Sequence, residues 1–126
     1  MRVAVGSGVT VSNARLALPP VKGNPGAVYF DITNAGSTDI AFRSADVEGA
    51  QSAMMHATNG GTMADLMLQP VKAGETVKFA PGGLHVMAMG LADTLKAGGK
   101  TNVTLHFSNG DKLTFPAEVL AAGDAR

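Results

Sequence analysis

Apolar and polar residues alternate in short runs along this chain, and turn residues separate the runs. Successive side chains of an extended strand point to opposite faces, so alternation predicts half-buried strands. Residues 9–18, VTVSNARLAL, read as one strand closed by Pro19 and Pro20. Residues 27–34, AVYFDITN, put Val28, Phe30 and Ile32 on one face. A turn, NAGSTD, leads into IAFRSADV at 40–47, and AGE and APGG punctuate the middle of the chain. Strands are also predicted over 84–90, 102–108 and 111–116, with Val103, Leu105, Phe107, Leu113 and Phe115 turned inward. Asn109-Gly110 lies between the last two and signals a hairpin. Residues 92–99 leave room for one helical turn, and no stretch sustains a helical period. Strands spaced by about 8–12 residues fit a sandwich or barrel. The expected fold is an all-β Greek-key sandwich, one domain over 1–126 with an ordered core over about 8–120.

One strand departs from a plain inside–outside pattern. In GGLHVMAMGL (82–91), Val86 and Ala88 share one face and His85, Met87 and Met89 the other. Histidine is unusual in a core stripe, and paired methionines are unusual in a solvated one. At a rise of about 3.3 Å per residue, the Cα atoms of His85 and Met87 lie about 6.6 Å apart, and both side chains can reach one ion. A buried, hydrogen-bonded histidine beside core methionines would give the same pattern.

Composition narrows the chemistry. The 126 residues suit one core, and 45% of them are apolar. Ten basic and ten acidic residues cancel, which gives no sign of a nucleic-acid or anionic-membrane surface. No apolar run has transmembrane length. The start, MRVAVGSGVTV, lacks the apolar region of a signal peptide, so the chain reads as cytosolic or as a mature form without its leader. There is no cysteine, which removes disulfides, thiolate metal sites and cysteine nucleophiles. Six of the seven methionines and two of the three histidines fall between positions 54 and 89. Methionine clusters often only fill core gaps, but packing explains a shared histidine–methionine cluster less well.

His56 belongs to the second grouping, SAMMHATNGGTMADLML. Asn59-Gly60-Gly61 signals a turn, so the segment reads as a hairpin. Centred on Gly60, it places His56 opposite Ala64, with Met63 close by. Met67 has the same parity as Met63 but lies about 13 Å further along the strand. An exposed loop histidine would serve equally well for His56 taken alone. His106, in VTLHFSNGD, alternates with Val103, Leu105 and Phe107 and reads as a solvated surface residue. Imidazole with thioether, and no thiolate, favours copper; thioether is soft and suits Cu(I). Zinc usually takes cysteine, histidine or carboxylate, and calcium and magnesium take oxygen.

Two longer stretches resemble the periplasmic copper chaperones of the PCuAC type. AVYFDITNAGSTD is similar to that family's early strand and turn, and KAGETVKFAPGGLHVMAMGL to its most distinctive segment. The resemblance covers most of the chain and carries over to Pro81, Gly82, Gly83, His85 and Met87. It implies a cupredoxin-like sandwich that binds Cu(I). It also implies transfer of copper to a copper-accepting protein, such as an oxidase subunit or another copper chaperone, by a periplasmic or secreted monomer. The family fingerprint is a histidine, ten residues, a methionine, about twenty-one residues, then His-x-Met. Counting from His56 reaches Met67, whereas counting back from His85 reaches Met63, because this chain is four residues shorter between the two histidines. The implied ligands are His56, His85 and Met87 with Met63, and Met67 as the alternative to Met63.

Two other classes remain open. A β-sandwich interaction module would use the methionines as a contact edge, with no physiological metal. An enzyme is not expected, since there is no G-x-S-x-G elbow, phosphate loop or carboxylate pair beside a histidine.

Overall fold

The computed structural model describes residues 2–5, 9–21, 23–59, 62–65, 68–80, 83–108, 110 and 112–121, with backbone alone for 2–5, 58–59 and 62–65. Its regular elements are all strands: β1 (Arg2–Val5), β2 (Val9–Ala17), β3 (Gly26–Asn34), β4 (Ile40–Val47), β5 (Ser52–Asn59), β6 (Thr62–Asp65), β7 (Gln69–Val71), β8 (Thr76–Phe79), β9 (Leu84–Met89), β10 (Lys100–Phe107) and β11 (Lys112–Leu120). The strand order is β6-β5-β9-β8-β3-β2-β11-β10-β4-β7, with β1 beside β2. This mixed sheet curls over itself into the expected cupredoxin-like sandwich.

The alternating runs become strands because each buries one face. On β3 the burial alternates at every position, and Val28, Phe30 and Ile32 are fully buried. Val103, Leu105, Phe107, Leu113 and Phe115 are buried as expected. Phe30 and Phe79, on β3 and β8, stack at 4.6 Å. Across the interior Phe30 meets Phe115 of β11 at 5.3 Å, and Phe79 meets Phe42 of β4 at 5.7 Å. Each such side chain contributes roughly 1.5–3 kcal/mol by burial, so this aromatic cluster fastens the two layers together.

β2 joins the layers. Its first half pairs with β1 and β3, and its second half with β3 and, in parallel, with β11. The register shifts between Ser12 and Arg15, where Asn13 takes φ 57° and donates from Nδ2 to Asp31 Oδ2 at 2.9 Å. Asparagine tolerates this left-handed conformation because its short polar side chain bonds locally.

β8 and β9 follow one another along the same edge of β3: residues 76–79 pair with 30–33, and 86–88 with 26–28. The APGG segment lies between them, at the start of β9; Pro81 and Gly82 fall outside the described residues. The β10–β11 hairpin forms as expected. Among the described residues its last pair is His106 with Lys112, and Gly110 takes φ 96° in the connection. Asn109 falls outside the described residues. Residues 92–99 form turns and no helix.

Candidate metal centre

The site is built on the ladder between β5 and β9. These strands run antiparallel with Met54 opposite Met87, Met55 opposite Val86 and His56 opposite His85. Paired residues share a face. Met55, Val86 and Ala88 turn inward and are almost wholly buried. His56, Met87 and Met89 are therefore on the outer face, where all three are partly exposed, and Met54 beside them is 40% exposed. His85 shares that face but keeps only 7% of its surface. Consecutive residues thus split their roles: Met55 and Val86 hold the ladder to the core, and their neighbours face outward.

The two imidazoles stand edge to face, with ring centroids 5.7 Å apart. His85 Nδ1 lies 3.1 Å from the carbonyl oxygen of Gly83. A carbonyl only accepts, so Nδ1 carries the proton and donates. Nε2 of His85 is then the nitrogen with a free lone pair, the form that a metal ion requires. The loop before β9 fixes this tautomer, which gives the APGG segment a chemical consequence beyond its turn. A thioether from Met87 lies in the next row of the same ladder. Two imidazoles and a thioether form a borderline-to-soft donor set that suits copper.

The β5–β6 hairpin forms, but one step out of the expected register. His56 pairs with Asp65 rather than Ala64, Ala57 with Ala64, and Met63 with Thr58. Asn59 pairs with Thr62, one position later than a turn centred on Gly60 would give; Gly60 and Gly61 fall outside the described residues. The backbone of Met63 sits on the tip side of His56, whereas Met87 lies on the other side, opposite Met54. That is four residue steps along the ladder, or about 13 Å. Met67 falls outside the described residues.

His106 is on the outer face of β10, as its alternation implied, but it is not simply solvated. Its Nε2 lies 2.5 Å from Asp46 Oδ2, and 24% of its side chain is exposed. It is outside the β5–β9 ladder. Met54 is not among the four ligands implied by the sequence, where it counts only as a spare methionine that could bind copper transiently or simply pack. Its signal was present: M-x-H at 54–56 is the reverse of H-x-M at 85–87. An antiparallel pairing of the two stacks histidine on histidine and methionine on methionine.

Comparison with known proteins gives three consistent findings. Residues 9–119 match a family model described as "Putative lipoprotein LpqE-like". The chain is 38% identical over 89 residues to the "Putative lipoprotein Lxx21020" of Leifsonia xyli subsp. xyli, covering 67% of this chain and 54% of that protein. It therefore spans about half the length of this curated relative. Among solved structures, the Cu(I) form of DR1885 from Deinococcus radiodurans is 29% identical, with a TM-score of 0.73, 90% of this chain and 78% of that one covered. The copper-bound PCuAC domain from PmoF2 superposes with a TM-score of 0.81 at 20% identity, over 96% of this chain and 98% of that one, and so speaks for the fold alone. Of these, the two solved structures are copper forms: DR1885 holds Cu(I), and the PmoF2 domain is copper-bound. The chain belongs to the LpqE-like lipoprotein family and is built on the β fold of the PCuAC domains.

Proposed function

We propose that this protein carries Cu(I) as cargo on the outer face of β5 and β9 and passes it to a copper-accepting partner. The observation that carries this reading is the cross-strand pair His56–His85, with the His85 tautomer set by Gly83 and a thioether in the adjacent row. The proposed ligands are His56, His85, Met87 and a hairpin methionine, Met63 or alternatively Met67. The ion lies on a face from which a partner's ligands can approach, as exchange requires. The Cu(I) form of DR1885 supports copper as the metal. The lipoprotein description of the family supports an extracytoplasmic place, periplasmic or secreted. No helix among the described residues is long and apolar enough to cross a membrane. The acceptor is an oxidase subunit or another copper chaperone, and the carrier acts as a monomer.

Anaerobic Cu(I) titration followed by NMR of the histidine and methionine side chains tests this. One equivalent should shift the signals of His56, His85 and Met87 together and leave His106 in place. A titration in which the ladder residues do not respond overturns the proposal.

A further inference from the structure

We infer that Met54 is a copper ligand that alternates with the hairpin methionine, so that the β5–β9 ladder alone holds a complete set of two histidines and two methionines. This rests on the copper reading above. The observations are the register and the exposure. Met54 is directly opposite Met87, one row from the His56–His85 pair, and it remains 40% exposed while Met55, its neighbour, is buried. Opposed residues of an antiparallel pair have Cβ atoms about 4.5–5.5 Å apart, and the next row on the same face lies about 6.6 Å away. Four side chains at the corners of such a rectangle can converge on one ion above it, at metal–donor distances of about 2.0–2.3 Å. The backbone of Met63, by contrast, is on the far side of His56 from Met87.

An unbranched side chain exposed on the rim is also suited to handing an ion over. It has three rotatable bonds and no tight packing to break. Copper held by His56, His85, Met87 and Met54 needs no ligand from the hairpin. Copper held with a hairpin methionine leaves Met54 free. Two interchangeable thioethers let one metal–sulfur bond form as another breaks, with no change in charge or oxidation state. The ion therefore keeps four ligands throughout the exchange, rather than falling to His56, His85 and Met87 alone while a partner approaches.

The test uses the chain labelled with 13C in its methionine methyl groups and 15N in its histidine rings, loaded with one equivalent of Ag(I), a redox-inert stand-in for Cu(I). The Met54 methyl signal should shift together with that of Met87. In the Met63→Leu/Met67→Leu variant, Cu(I) affinity measured against a chromogenic chelator should fall by no more than about tenfold. Adding Met54→Leu should lower it by a further factor of about 30 or more, a non-additive loss expected of alternates at one position. Met54→Leu alone should leave the melting temperature of the metal-free protein unchanged, since the residue is on the surface. If Met87 and His85 respond while Met54 does not, Met54 is not a ligand and the copper reading stands. If the hairpin double variant loses binding outright, the alternation is wrong. If neither His85 nor Met87 responds, the copper reading fails and this inference with it.

Discussion

His85 donates from Nδ1 to the carbonyl of Gly83, two residues back, and so keeps its lone pair on Nε2. Replacing it removes a ligand whose tautomer is already set, so His85→Ala should weaken Cu(I) binding by more than the ~10–100-fold typical of an outer-shell partner. His106→Ala should leave the affinity unchanged, because that ring is engaged with Asp46 on another strand. Competition titrations of both variants against a common chelator check the pair. The hairpin ligand is decided in the same assay: as proposed, Met63→Leu weakens binding and Met67→Leu does not, and the opposite result moves the ligand to Met67. Much of this scale was legible in the sequence. Histidine and methionine at positions 85 and 87 declare a shared face by parity alone. The place of Met54 opposite Met87 was not legible in that way, because parity fixes faces within a strand and says nothing of which strands pair.

Among the elements, β9 is held at both ends by its backbone. At its N-terminal end Gly83 receives the imidazole, and just past its C-terminal end Gly90 adopts φ 67°. A Cβ at Gly90 would lie 2.7 Å from Gln51 Cγ, beside the start of β5. Gly90→Ala should therefore cost about 1–3 kcal/mol, from both the left-handed backbone and the crowding. It should also disturb the pairing that sets Met89 against Ser52. Urea unfolding of the metal-free protein measures the cost, and amide exchange across 52–54 and 87–89 reads the disturbance. The alternating runs gave the strands with little error because each buries one face. The hairpin came out one residue off, since Asn59 pairs with Thr62, where a turn centred on Gly60 would set it against position 61. In a ladder that single step decides which residue faces His56.

For the whole molecule, binding and stability are linked. A ligand that binds only the folded form at about 100 times its Kd adds roughly 2.7 kcal/mol. For a domain of this size that corresponds to an upward shift in Tm of roughly 10 °C. One equivalent of Cu(I) under anaerobic conditions should produce a shift of this kind. Zn(II) at the same concentration should produce less, because thioether is a poor match for zinc. Calorimetry with each metal, and with the two in competition, checks this; equal shifts would count against a soft site. Another consequence of the architecture concerns time rather than affinity. β2 is paired in parallel with β11, Arg15 against Glu118, so its inner ladder joins residues near opposite ends of the chain. Non-local pairings of this kind raise contact order and slow folding, because a large loop must close before the contact repays it. During synthesis the early strands wait, with one side of β2 open, until the last strand arrives. Until then that edge is a template for pairing with other chains, so a chain cut short before Lys112 should aggregate rather than fold into a smaller carrier.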